Sequence, residues 1–255
     1  MRTLRDQCLP AEGFTLTELA VVLVIVSFLI GGLLVPLSAQ IDIRNTRDTR
    51  AALSEIREAL LGFAVANGRL PCPAPPTTAS GAAGAGLEVA PGPAGCGVGN
   101  LAGVLPWATL GVEENDPWGR RYSYRVTRAF TAPPSAGATA GFTLSPAGGD
   151  LTMLPAAGSP AIVAANVPAV VISHGKNGNG AYISLGTQLP VGADADELEN
   201  QILNNAPGLW MDGGVVTVFV KRAAPTVTAD DEVVWISQGV LFNRMISGGK
   251  PPPLP

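Results

Sequence analysis

Gly13-Phe14-Thr15-Leu16-Thr17-Glu18 leads directly into residues 19–37, a stretch without a single charge. At 1.5 Å per residue, that stretch would span about 28 Å as a helix, close to the hydrocarbon thickness of a bilayer. An acidic residue at the edge of such a run is costly beside lipid and implies a partner or a function. Cleavage after Gly13 would create the simplest partner, a free amine on Phe14, four residues before Glu18. Ser27, the pair Gly31 and Gly32, and Pro36 interrupt the run. Such residues weaken or kink a water-exposed helix, but a membrane helix tolerates them where neighbours satisfy the backbone.

Upstream, residues 1–13 are short and polar, and Arg2 and Arg5 are placed to stay cytoplasmic. An ordinary secretory signal is cut after its apolar run, where Ser38-Ala39-Gln40 is a weak match; the junction before the run is the better site. Downstream, residues 38–67 continue as an amphipathic helix. Ile41, Leu53, Ile56, Leu60 and Phe63 recur at helical spacing, while Arg44, Arg47, Asp48, Arg50, Glu55 and Glu58 fall mostly on other faces. Asn67-Gly68 is a stop signal, and Pro71 and Pro73 forbid continuation. Only the C-terminal half of such a helix can pack on a soluble domain. The N-terminal half needs lipid or other copies of itself.

The Gly-Phe-Thr-Leu-x-Glu pattern and its apolar run resemble the processing site of type IV pilins and of the pseudopilins of type II secretion. The resemblance covers about residues 1–37. It implies that a prepilin peptidase cuts between Gly13 and Phe14 and N-methylates Phe14. It also implies that Glu18 directs assembly with other pilin or pseudopilin subunits on an inner-membrane platform. Pro36 departs by one place from the usual family proline, which leaves the helix register open. A second, looser likeness is the Asp-x-Trp-Gly-x-x-Tyr-x-Tyr run from Asp116 to Tyr124, similar to the start of the sheet in type II pseudopilins.

The chain has 255 residues, and cleavage would leave about 240, enough for an anchor and one globular domain. Charged residues are 14%, the net charge is −4, and there are 31 Gly and 23 Pro. Low charge with many turn formers points to a loop-rich, mostly β domain facing outside, and the charge balance gives no sign of a surface built for nucleic acid, a local basic patch aside. Cys8 lies in the leader. Cys72 and Cys96 remain in a segment that would face the periplasm, where a disulfide between them is expected; two buried free thiols are the alternative. Zinc is disfavoured, because no histidine or further cysteine lies nearby.

Residues 71–105, rich in Ala, Gly and Pro, read as a long loop held by that disulfide and poorly ordered in between. Strand candidates follow at 121–126, 141–145, 169–173, 181–185, 215–221 and 232–237. Short helices are expected at 194–203, with Asp194 or Asp196 as cap, and at 238–246. The tail, Pro251-Pro252-Pro253-Leu254-Pro255, reads as extended and exposed. The expected fold is α+β and pilin-like: a long helix, half membrane-spanning and half amphipathic, laid on an antiparallel sheet with long loops. Its parts are a leader (1–13), a membrane or filament-core helix (14–37), an amphipathic helix (38–67) and a β domain (68–255).

Catalytic chemistry is sparse. The single histidine, His174, follows Ser173 in a Gly- and Asn-rich turn, and adjacency in sequence is not a triad. Gly175-Lys176-Asn177-Gly178-Asn179-Gly180 lacks the spacing and following helix of a phosphate loop. Asp230-Asp231-Glu232 suits calcium, which prefers clustered oxygens, and Asp230 and Asp231 are the candidate ligands. Major pseudopilins of type II secretion carry calcium in a comparable C-terminal loop. Asn177 and Asn179 are possible further donors, and a plain turn entering the last strand is the competing reading.

The expected function is structural and non-enzymatic: a minor or large subunit of a type IV pilus-like filament, with no cofactor beyond calcium. A type II pseudopilin is the alternative within the class. A filament-tip module for adhesion or DNA uptake is the alternative outside it. The expected location is the inner membrane, with the globular domain periplasmic, and then the filament.

Overall fold

The computed structural model describes residues 15–144, 148–201, 217–226 and 228–254, and of residues 31–38, 98 and 217 the backbone alone. The chain divides into two compact units, residues 1–44 and 45–255. Helix α1 is Leu16–Asn67. Its first turn carries the reciprocal bonds of a capping box: Thr15 N–H and Oγ1 donate to Glu18 Oε2, and Glu18 N–H donates to Thr15 Oγ1. Among the described residues, no helix is long and apolar enough to cross a membrane. The apolar run 19–37 passes into 31–38, whose side chains lie outside the described residues.

After α1 come strand β1 (Ala102–Val104), helix α2 (Trp107–Leu110), β2 (Arg120–Arg121) and β3 (Ser123–Val126). They are followed by β4 (Leu151–Leu154), β5 (Ala164–Val167), β6 (Ala169–Ser173) and β7 (Tyr182–Ile183). Helix α3 (Ala195–Asn200), β8 (Thr217–Val220), β9 (Glu232–Ile236) and α4 (Gln238–Ser247) complete the order. The main sheet is antiparallel throughout, in the order β1-β3-β6-β9. The class is α+β, with α1 packed on this sheet.

Strand alternation explains the layers. Ala169 and Val171 of β6, with Tyr124 and Val126 of β3 and Ile236 of β9, face Leu53, Ile56, Leu60, Leu61 and Ala64 of α1. Leu241 and Met245 of α4 close the same core. The intervening residues Val170, Ile172 and Val233 face the other way, onto Leu151, Met153, Val167 and Phe219. Those belong to a second, three-stranded sheet in the order β5-β4-β8, in which β4 and β8 run parallel. Covered on both sides, β6 is buried at all five positions.

The stripe on α1 is narrower than its sequence spacing suggests. Ile41 is 51% exposed, and Phe63 is half-buried with the Arg69 guanidinium 5.2 Å above its ring. The helix stops at Gly68 as expected. That glycine has φ +69°, and a Cβ there would lie 2.6 Å from Pro134 Cγ and Thr139 O.

Cys72 and Cys96 form the expected disulfide, with Cα atoms 5.7 Å apart. The loop between them is not loose. Glu88 pairs with Arg69, accepts from Cys72 N–H at 2.9 Å, and Val89 N–H donates to Pro73 O. The strand expected at 141–145 is irregular over its described part, and residue 145 lies outside the described residues. The proline tail is docked: Leu144 N–H donates to Pro253 O, and Pro252 is buried.

Arg121 gathers the loops. Its guanidinium is fully buried, donates to Glu114 Oε1, Pro76 O, Ser80 Oγ and Ser184 O, and lies 4.6 Å over the Trp107 ring. Arg121→Leu, which takes the cation from the Glu114 carboxylate and a donor from the Pro76 and Ser184 carbonyls, is expected to destabilise by about 3–5 kcal/mol in denaturant titration. Removing the disulfide with Cys72→Ser and Cys96→Ser is expected to cost about 3 kcal/mol in the same measurement.

Candidate metal centre

Three segments far apart in sequence meet beyond the ends of β6 and β9. The first is the turn after β6, in which Gly178 N–H donates to His174 O. Asn177 Oδ1 accepts from Asn179 N–H at 3.0 Å, an Asx turn that leaves both side-chain amides to donate outward. The second is α3, capped by Asp194, whose side chain accepts from Asp196 N–H. Asn200 fixes α3 to β8 by taking Val220 N–H at 2.8 Å and donating to Val220 O at 3.0 Å. The third is the approach to β9, where Thr226 N–H donates to Ala229 O just ahead of Asp230 and Asp231.

These elements bring Glu197, Asp230 and Asp231 together, with one oxygen from each inside a group no more than 4.8 Å across. Both Asn177 and Asn179 side-chain amides donate to Glu197, the second at 2.8 Å. Asp230 Oδ2 accepts from the N–H groups of Lys176 and Asn177 at 2.7 and 3.1 Å. The contact is close enough to require Gly175 (φ +57°), because a Cβ there would sit 2.6 Å from Asp230 Cγ. A small cavity lined by Asp196, Glu197, Asn200, Val220, Arg222, Ala229 and Asp231 opens beside two of the carboxylates.

The donors to Glu197 and Asp230 are neutral amides, so hydrogen bonding does not cancel the charge. Burial pushes the Glu197 carboxyl above its usual range despite the bonds from Asn177 and Asn179, and the neighbouring Asp231 adds to the rise. Burial likewise raises Asp230. Two carboxylates about 5 Å apart repel by roughly 3 kcal/mol at an effective dielectric of about 20. Asp230 Oδ1 and Asp231 Oδ2 are moreover buried without a hydrogen-bond partner. Orphaned oxygens beside uncancelled charge are what a cation would satisfy.

The donor set fits a hard divalent ion such as calcium, which takes six to eight oxygens from carboxylates and amides. Zinc, which favours cysteine sulfur and histidine nitrogen, is a poorer match to this all-oxygen group.

The expected ligands Asp230 and Asp231 are therefore adjacent to one another and to a third carboxylate, Glu197, that sequence reading passed over. Its signal was the acidic first turn of α3, read there only as capping. Asn177 and Asn179 do reach the group, as donors to Glu197. Glu232 does not. Its Oε1 takes Arg50 at 2.6 Å and its Oε2 takes Lys221 at 3.1 Å. Burial works to raise Glu232, but Arg50 and Lys221 outweigh it and hold the carboxyl below the usual range.

His174 is not partnered by Ser173, whose hydroxyl donates to Asp116 Oδ2 at 2.7 Å. Asp116 also accepts from Trp118 and Arg120 N–H, so the Asp-x-Trp-Gly turn is built around this carboxylate. The serine beside His174 is Ser123, at 2.8 Å. Ser123 is only 3% exposed, which closes its hydroxyl to any substrate carbonyl. Gly13 and Phe14 lie outside the described residues, and Glu18 is engaged in the capping box. No family model, curated protein or solved structure matches this chain.

Calcium is expected to raise the unfolding temperature of the chelator-treated protein, with magnesium much less effective. Asp230→Asn is expected to abolish that response while raising the metal-free unfolding temperature by a few degrees, since it removes repulsion. Differential scanning calorimetry in chelator and in calcium reads both.

Proposed function

We propose that this chain is a structural subunit of a type IV pilus-like filament, a minor or large pilin, assembled through its N-terminal helix. The observation that carries the reading is the circumference of α1. Leu19, Val21 through Val26, Phe28, Leu29 and Ile30 occupy nearly consecutive positions, and all are exposed. A helix that is apolar on every side has no stable place in water; it needs lipid or other helices around it. Before assembly the run 19–37 is held in the inner membrane, and in the filament it is packed among other copies. The leader 1–13 is removed by a prepilin peptidase, and the Phe14 amine of one subunit then compensates Glu18 of another. In that role Glu18 exchanges its bonds to Thr15 for a charge partner, which favours one axial offset between subunits.

A second reading, a type II secretion pseudopilin, is favoured by the Glu197, Asp230 and Asp231 cluster at the entry to the last strand. The turn centred on Asp116 supports it too. A short periplasmic pseudopilus that tracks exoprotein release, in place of surface fibres, would separate the two.

Intact mass and N-terminal sequencing of the protein from native membranes test the common core of both readings. The expected product begins at a methylated Phe14; a chain beginning at Met1 or near Gln40 would refute the proposal. Glu18→Ala is expected to be cleaved normally and yet to enter filaments poorly, as scored by immunoblot of sheared fibres.

A further inference from the structure

Ser123, His174 and Asp231 lie in line. Ser123 Oγ is 2.8 Å from His174 Nε2, and His174 Nδ1 is 3.6 Å from Asp231 Oδ1. The ring is 1% exposed and the Asp231 side chain 6%. Proton positions follow from the partners. A buried hydroxyl gives its hydrogen to an acceptor, and the acceptor that Ser123 meets is Nε2. With the hydroxyl donating to Nε2, the ring hydrogen is carried by Nδ1. That N–H is buried, has no hydrogen-bond partner and faces Asp231 Oδ1 from beyond hydrogen-bond distance.

The arrangement is unusual for a ring that serves only as packing. A core histidine is normally satisfied at both nitrogens, and here one nitrogen is bonded while the other waits beside a carboxylate. Asp231 also has its other oxygen, Oδ2, buried and unpartnered. The two oxygens thus differ: Oδ1 faces the ring nitrogen and Oδ2 has no partner, and through one of them Asp231 joins the acidic group with Glu197 and Asp230.

The geometry points to His174 as a positioning residue for the cation: its Nδ1–H, 3.6 Å from Asp231 Oδ1, attracts that oxygen electrostatically without a hydrogen bond and leaves Oδ2 for the ion, while Ser123 fixes the tautomer. This rests on the calcium reading of the acidic cluster. Groups that orient a metal-bound ligand change affinity by about 10–100-fold when removed, although they never touch the ion. Ser123 stands on β3 and His174 follows β6, so the main sheet itself sets the angle of a carboxylate entering β9.

Isothermal titration of calcium chloride into the full chain, solubilised in detergent and stripped by chelator, tests this. His174→Leu keeps the volume and removes the N–H; it is expected to weaken calcium binding about 10-fold or more. His174→Asn, which returns an N–H near the Nδ1 position, is expected to regain most of that loss. Equal affinity in the wild type and His174→Leu would overturn the inference. So would a loss that His174→Asn does not repair, because the defect would then be one of packing. Where His174→Leu does not fold, Ser123→Ala decides: a several-fold loss supports the relay, and unchanged affinity overturns it. A wild-type protein that takes up no calcium would remove the metal centre itself, an outcome distinguishable because no variant is needed to see it.

Discussion

The guanidinium of Arg121 joins more of this molecule than any other polar group described. It is fully buried, yet its bonds run to three separate stretches of irregular chain, at Pro76 and Ser80, at Glu114 and at Ser184. Burying such a group is unfavourable unless charge and hydrogens are both satisfied. Here the planar fork meets carbonyls and a carboxylate, and the indole of Trp107 covers its face. Loops with few apolar side chains cannot hold one another by burial alone. A buried cation with fixed donor directions gives them a common anchor, and the Ala-, Gly- and Pro-rich segment depends on it together with the disulfide.

The same logic of charge sorting operates at the entry to β9. Three consecutive carboxylates are sent to three different environments. Glu232, the first residue of the strand, is neutralised by Arg50 from α1 and Lys221 from beyond β8. Asp230 caps the turn after β6 with amides alone, and Asp231 lies between His174 and the acidic group. One side of this junction is fully compensated and the other is left with surplus negative charge. That contrast, more than the number of acidic residues, singles out the cluster.

Much of the frame was legible in the sequence, for reasons that can be stated residue by residue. Strand β6 was readable from its unbroken apolar run, β9 from the Val-Val-Trp-Ile alternation behind an acidic turn, and the end of α1 from Asn67-Gly68. The cap Asp194 announced α3, and α4 was expected at 238–246, where the structure adds Ser237 as its cap. Strands β1, β4 and β5 were not readable. Each has three or four residues, and Gly103 or Pro-rich flanks hide the period. The second sheet was missed with them, so nothing in the sequence explained why β6 has no polar side. Glu197 escaped because its acidic partners lie more than thirty residues away, and a helix cap was reason enough for acidic residues there. Side chains that meet only through tertiary folding leave no mark in local spacing.

Burial of β6 on both faces has a cost in information. A strand with one apolar side is indexed by its own alternation, because a shift of one residue turns that side to water. Between α1 and the second sheet no such penalty acts, and Ala169 to Ile172 would find oil on either side. What tells the right alignment from its neighbour is the polar end, where Ser173 reaches Asp116 and Ser123 reaches His174. Displace the strand by one place and both hydroxyls are stranded in the dry interior. The hydroxyls work as a vernier mark, catching misaligned pairings that greasy side chains would let pass.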